Sequence, residues 1–332
     1  MQFRLSPAAR SEGYRLHSHD RLDSTNSEAI RLAHSGEAGP LWVTTRCQEA
    51  GRGRRGNAWT SPEGNLAASL LLPVAGVAPE MVATLGFVAG VALVDAIRDA
   101  CRSAPSPRAR GEGRDDLVVG ATSGSDGEGA SKEETPSETP PHPRLPPRFG
   151  DDRVAEGLSP QAGRGDAPLP QGIATSQATI HLKWPNDVLA DGRKLAGILL
   201  EAETLPGGRR AVVVGFGVNV AAAPEGLPYP AAALSAFSAA DAPRLLEFLS
   251  ERFVEAVRIW NKGRGFSNIR RRWLERAAGV GAPVSVRMAE VTLTGIFETI
   301  DEGGRLVILA PDGARRTVTA GEVHFGRAAT AA

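Results

Sequence analysis

Between residues 102 and 178 the chain runs for 77 residues with almost nothing to bury. Proline and glycine supply eleven each, only nine are Val, Ile, Leu or Phe, and none is Trp, Tyr or Met. Such a composition cannot offset its ordering entropy by apolar burial. A structureless stretch of that length is also too long for a loop inside a compact domain. It reads as a disordered insertion, and no catalysis is expected from it. Two stretches in it, SPRARGEG from Ser106 and SPQAGRGD from Ser159, resemble each other loosely. That fits a translated repetitive DNA element or a regulatory loop. The fold must therefore be built from the two flanking pieces.

Those pieces meet at a helix-to-strand connection. Before the insertion, 79–101 opens with Pro79 and places Met81, Leu85, Val88, Ala92 and Ile97 near helical spacing. After it, Thr179-Ile-His-Leu-Lys-Trp184 alternates like a strand. Extra length at a surface connection costs little, because loop-closure entropy grows slowly. Further strands are predicted at 14–22, 41–45, 66–72, 195–202 and 211–220. The run 66–72 is continuously apolar and hence central. Helices are predicted at 24–34, with Ser24 as its capping hydroxyl, and at 243–261 and 266–277. From Pro283 the pattern changes to short strands with turn signals at Asp301-Glu-Gly-Gly304 and Pro311-Asp-Gly313, a small all-β module.

The length of 332 residues suggests about two domains. Lys+Arg and Asp+Glu balance at 38 each, which disfavours a dedicated nucleic-acid or polybasic membrane binder. Cys47 and Cys101 are the only cysteines. They exclude a disulfide scaffold or a cysteine-rich metal site, and they suit a reducing compartment. The N-terminus has no apolar segment of a secretory signal. The longest apolar run, 81–94, has 14 residues, short of the ~20 that span a bilayer. A cytoplasmic protein outside the membrane is expected.

Gly51-Arg-Gly-Arg-Arg-Gly56 spells a dinucleotide-binding turn and follows a strand. That turn requires a helix opening on the loop, whereas here Asn57-Ala-Trp-Thr-Ser-Pro-Glu-Gly64 leads to another strand. No P-loop Gly-Lys-Ser/Thr occurs either. What remains is a backbone able to approach a ligand closely, with Arg52, Arg54 and Arg55 as planar donors for phosphate or carboxylate. Taken alone, a solvated basic turn explains it better. Lys183-Trp-Pro-Asn-Asp187 ends a strand, because Pro185 fixes its own φ and biases Trp184 to extended backbone. It presents Lys183, Asn186 and Asp187 as a rigid polar cluster, or is equally a turn with a packed Trp. Arg193-Lys-Leu-Ala-Gly197 puts Lys194 at the rim of a buried strand, unless it is only a surface lysine. Gly215-Phe-Gly-Val-Asn219 permits close ligand approach and offers a donor and acceptor at Asn219, or is a sheet bend with a turn-forming Asn. A helix cap alone would account for Ser24-Thr-Asn26. The six histidines have no metal-ligand spacing, and no nucleophile elbow is present.

Singly these features are weak, but their order is not. Ser24-Thr-Asn26, Gln48 followed by GRGRRG, KWPND, RKLAG and GFGVN succeed one another as in the biotin–protein ligases. The chain resembles that family from about Tyr14 to Phe325 apart from the insertion, and GRGRRG with KWPND is the specific pair. The resemblance implies an α+β fold: a mixed β-sheet with helices on one side, of the class II synthetase-like biotin/lipoate ligase type. This catalytic domain would span 14–278, interrupted at 102–178, and an SH3-like β-barrel would follow at 280–327. The implied activity is ATP-dependent biotinylation of a carrier-protein lysine through biotinyl-5′-AMP, the carrier being the biotin carboxyl carrier protein of acetyl-CoA carboxylase or a similar domain.

By the same resemblance, Ser24, Thr25, Asn26 and Gln48 would hydrogen-bond the ureido ring of biotin. Arg52, Gly53 and Arg54 would close over biotin and the adenylate. Lys194 would contact the biotin carboxyl end, and Lys183 would neutralise ATP phosphates. Asn186 and Asn219 would lie near the nucleotide. Asp187 would support Mg²⁺ or position an amine. Trp59 is placed nearby without a role. Only about 13 residues precede the first strand, too few for the winged helix-turn-helix of some members. A ligase without DNA binding is expected, and pairing through a sheet edge makes a homodimer an open expectation. The nearest rival is a lipoate or octanoate ligase, which shares the fold and adenylate chemistry but would carry a different Arg/Gly loop. An RNA-binding module is disfavoured by the zero net charge and the 5% aromatic content. A non-catalytic regulator is disfavoured by the short N-terminal segment.

Overall fold

Side-chain size along two central strands decides where the main sheet is covered and where it lies open. A computed structural model of the chain describes residues 2–103, 178–288 and 291–325. The segment read as an insertion lies outside the described residues except for 102, 103 and 178. Before the first strand comes a five-residue helix, α1 (Pro7–Ser11). Among the described residues the strands form two sheets. In the larger, the spatial order is β1 (Arg15–Leu22), β2 (Leu41–Gln48), β3 (Leu66–Pro73), β7 (Arg210–Val218), β6 (Arg193–Thr204), β5 (Asp187–Ala190) and β4 (Ile180–Lys183). β1 and β2 are parallel and the other neighbours antiparallel, so the sheet is mixed.

Successive strand residues alternate between faces. One face of β3 and β7 carries Leu66, Ala68, Leu70, Leu72, Val212, Val214 and Phe216. They share a core with α4 (Leu85–Ser103), α5 (Ala242–Trp260) and α6 (Phe266–Leu274). Phe216 and Phe253 bracket Trp42 there at 5.5 and 6.0 Å between ring centroids. On the opposite face Leu71, Ala211 and Val213, with Leu41 and Val43 of β2, pack against Ala29 and Ala33 of α2 (Thr25–His34). Helices therefore lie on both faces, which corrects the expectation of one side. The alanines of α2 fit a patch no wider than one short helix. Farther along this second face the side chains shrink to Ala67, Ser69, Gly215 and Gly217, with Gly197 of β6 paired to Gly217.

The helix expected at 79–101 is divided into α3 (Pro79–Val82) and α4. At the break Thr84 Oγ1 donates to the Met81 carbonyl and accepts from Trp260 Nε1 at 2.7 Å, so the hydroxyl competes with helical bonding. The stretch Pro79–Ser103 is long and apolar enough to cross a bilayer by those two criteria, and 67% of its most apolar window is buried within the fold. β5 was not anticipated, because four residues immediately after a Pro-Asn turn are too few to show alternation.

The smaller sheet contains β8 (Pro283–Met288), β9 (Val291–Ile300), β10 (Leu306–Leu309), β11 (Arg315–Val318) and β12 (Glu322–Phe325). Their order is β11-β10-β9-β8-β12, antiparallel throughout. It has the SH3-like form expected of the C-terminal module. Gly304 and Gly313 take left-handed φ values of +80° and +79° where the turn signals lie. The indole of Trp184 donates to the Gly304 carbonyl at 3.1 Å. Thus the Trp of KWPND braces the β9–β10 hairpin of this module.

Candidate active site

Where the second face of the sheet runs out of side chains, a cleft of about 750 Å³ opens. A volume of this order suits a small-molecule ligand. Its floor is backbone. A methyl on Gly217 would stand 2.4 Å from the Trp59 ring, and one on Gly215 would stand 2.2 Å from Asn26 Oδ1. Eleven of the twelve residues singled out above line this one cleft, so segments far apart in sequence converge on it.

One end is polar and uncharged. Ser24 caps α2, its Oγ accepting from Ser27 N at 3.4 Å. This placement sets Thr25 and Asn26 in the first helical turn. Gln48, at the end of β2, accepts from Thr25 N at 3.0 Å and lies 3.3 Å from Thr25 Oγ1. Ser69 Oγ, fully buried behind them, is 2.7 Å from Thr25 Oγ1 and 2.5 Å from Asn26 Oδ1. The Asn26 amide donates to Glu201 at 2.6 Å.

The other end is cationic. Lys183 and Asp187 face each other across the β4–β5 hairpin, and Lys194 Nζ is 2.9 Å from Asp187 Oδ1. Burial pushes the Lys183 ammonium below the usual lysine range; Asp187 opposes this and Lys194 adds to it. Lys194 also lies 5.7 Å from the Trp59 ring centroid and 5.3 Å from that of Tyr229. The Asn186 amide donates to the Ile198 carbonyl at 2.6 Å, which turns its Oδ1 toward Arg54 Nη1 at 3.1 Å. Burial also lowers the Arg54 pKa.

The Arg/Gly loop forms a hairpin over the cleft. Gly53 N donates to Asn57 O at 2.7 Å, Trp59 N to Gly51 O at 2.9 Å, and Arg52 bridges to Ala58. A short 3₁₀ turn, Arg54–Gly56, closes its tip, with Arg55 at φ 57°. Arg52 and Arg54 reach in different directions, to Glu201 at 3.4 Å and to Asn186.

Asn219 is the residue not brought to the cleft. It is 2% exposed, its Nδ2 donates to Ala232 O at 3.2 Å, and its backbone joins Leu195 and Leu234. It braces a strand end. Sequence reasoning missed Ser69 and Glu201, which hold Asn26 from behind, and Tyr229, Arg287, Glu322 and His324, which line the cleft, the last three from the C-terminal module. Only Ser69 left a signal, as a lone hydroxyl in an otherwise apolar strand.

A cleft that is neutral and hydrogen-bonding at one end and cationic at the other suits a ligand with an uncharged polar head and an anionic tail. Comparison with known proteins agrees with that class. The model described as "Biotin/lipoate A/B protein ligase family" matches residues 18–126 and 154–219, and "Biotin protein ligase C terminal domain" matches 280–326. A biotin--[acetyl-CoA-carboxylase] ligase of Paracoccus denitrificans is 34% identical over 316 residues, covering 92% of this chain and 98% of that one. The bifunctional ligase/repressor BirA of Bacillus subtilis is 24% identical over 95% of this chain and 75% of that one. A solved biotin protein ligase from Aquifex aeolicus, in complex with biotin and ATP, shares the fold with a TM-score of 0.60. It is 20% identical, and the match covers 95% of this chain and 99% of that one. The chain belongs to the biotin/lipoate A/B protein ligase family and carries the biotin protein ligase C-terminal domain.

Proposed function

We propose that the protein is an ATP-dependent biotin–protein ligase, and that this cleft joins biotin to AMP and then to a lysine of a carrier domain. The observation that carries the reading is the placement of neutral donors and acceptors at one end of a glycine floor and three cations, Lys183, Lys194 and Arg54, at the other. In the first step a biotin carboxylate oxygen attacks the α-phosphorus of ATP and pyrophosphate leaves. In the second, the carrier amine attacks the acyl carbon, forming the amide and releasing AMP and a proton. No covalent intermediate on the enzyme is needed. The first step must press together two anions, so positioning and fixed positive charge lower its barrier.

Ser24, Thr25, Asn26 and Gln48 hold the ureido head. Lys194 meets the carboxylate and the acyl phosphate, and Lys183 with Arg52 and Arg54 neutralises phosphate charge. Asn186 orients Arg54. Closure of the hairpin keeps water from the activated acyl group. Among the described residues no three His, Cys, Asp or Glu gather as a metal cage. The one carboxylate between the lysines, Asp187, fits a Mg²⁺ that arrives with the nucleotide and keeps phosphate and water ligands. Such an ion would neutralise phosphate charge. Lipoate offers no ureido groups for Thr25 and Gln48 to bond.

The acceptor is a biotin carboxyl carrier domain, in the cytoplasm. The reading has its catalytic domain interrupted at 102–178. β1 forms an edge of the larger sheet, where two chains could pair. Incubation with ATP, Mg²⁺ and either biotin or lipoate should release pyrophosphate with biotin, and an added carrier domain should become biotinylated. Release with lipoate alone would overturn the reading.

A further inference from the structure

Glu201 does not line the cleft, yet it dictates how the cleft's polar end presents itself. One carboxylate oxygen accepts from Asn26 Nδ2 at 2.6 Å, and the other lies 3.4 Å from Arg52 Nη2. A carboxylate only accepts, so the Asn26 NH₂ must face it and Oδ1 must point away. That Oδ1 is 2.5 Å from Ser69 Oγ. An amide oxygen cannot donate, so the single Ser69 hydroxyl proton is committed to it. Thr25 Oγ1, 2.7 Å from Ser69 Oγ, must then supply the proton for their contact. Its alternative acceptor, Gln48 Oε1, is farther at 3.3 Å and already receives the Thr25 N–H. Asn26, Ser69 and Thr25 are 5%, 0% and 4% exposed, so water does not compete for these protons.

The Thr25 proton therefore points into the protein, and its lone pairs face the cleft. We propose that Glu201 is a positioning residue that fixes the direction of this hydroxyl relay. Thr25 is thereby offered as an acceptor, and the cleft selects a cyclic urea N–H over a ring that lacks one. The inference rests on the biotin reading above. Gly215 makes the relay fit, since any side chain there would strike Asn26. Through its second oxygen Glu201 also ties the arginine hairpin to the same readout.

Pyrophosphate release by the full chain tests this, with biotin and with biotin methylated on its urea nitrogens as alternative substrates. Glu201→Gln can donate to Asn26, which frees the amide to turn and the relay to reverse. The variant should raise the KM for biotin about tenfold or more, leave kcat and the KM for ATP within about twofold, and lower the preference for biotin over its methylated analogue by about tenfold, the order expected when one buried polar group loses its partner. Ser69→Ala interrupts the relay in its middle and should erode the preference in the same way. Glu203→Gln, two residues along the same strand beside His34, should change none of these. Unchanged preference in both Glu201→Gln and Ser69→Ala would overturn the relay and leave the biotin reading intact. A wild-type chain that released no pyrophosphate with biotin would overturn both.

Discussion

Replacing Gly217 with alanine inserts one methyl between the sheet and the arginine hairpin. That methyl would lie 2.4 Å from Cε2 and Nε1 of Trp59 and 2.8 Å from Cζ2. Ordinary carbon contacts begin near ~3.5 Å, so the indole has to lift by about 1 Å. The strand itself has no objection, because Gly217 is not in the left-handed region and alanine is favoured over glycine in a strand interior by roughly 0.5–1 kcal/mol. The overpacking cost of about 1–3 kcal/mol therefore falls on hairpin closure. It corresponds to about 5- to 150-fold in the closing equilibrium at 1.36 kcal/mol per decade. Gly197→Ala is the graded control, since its methyl would meet Trp59 at 3.3 Å and needs a shift of only a few tenths of an ångström. The assay incubates each variant with biotin and ATP without carrier and separates free from enzyme-bound biotinyl-AMP. Gly217→Ala should leak strongly, Gly197→Ala mildly, and neither should lower the Tm. Equal leakage from wild type and Gly217→Ala, or greater damage from Gly197→Ala, would refute the seating of the hairpin on this glycine pair.

Arg54→Gly removes the contact to Asn186 and should also release more biotinyl-AMP; a variant no leakier than wild type would mean that Arg54 does not hold the lid. Burial lowers the Lys183 pKa, and only the protonated amine neutralises phosphate. The kcat/KM for ATP should accordingly fall on the alkaline side below the usual lysine range, and Lys183→Arg should move that limb upward. The Arg15 guanidinium holds the Glu37 carboxyl down to about 2 from 4.5. A folded-state pKa below the unfolded one contributes stability above about 4.5 that is lost as pH falls toward 2. The Tm of wild type should exceed that of Glu37→Gln at pH 6, with the gap closing as acid is added; a constant gap would refute the assignment.

Much of this was legible because its causes are local. A capping hydroxyl at Ser24, the continuous apolar run of β3 and the Gly turns of the C-terminal module each carry their signal within a few residues. The cleft was legible only as an ordered set of motifs, since none identifies a pocket alone. What escaped depends on pairing between distant strands. The facing of Gly197 and Gly217 is a matter of β6–β7 register, and Glu201 looks in sequence like any polar residue at a strand end. Asn219 shows the converse. Its side-chain amide secures the Ala232 carbonyl and its backbone N–H the Leu195 carbonyl, beside the cleft. β5 was hidden by its length, and Tyr229 lies in a connection without periodicity.

The indole of Trp184 reaches across to the carbonyl of Gly304, one residue from the lysine that meets the phosphates. The appended β module is thus not a passenger. A truncation before Pro283 would strip Trp184 of its acceptor and uncover Phe87, against which Gly304 is packed. Lesions remote from the chemistry, in a hairpin that touches no substrate, should then surface as defects in nucleotide use.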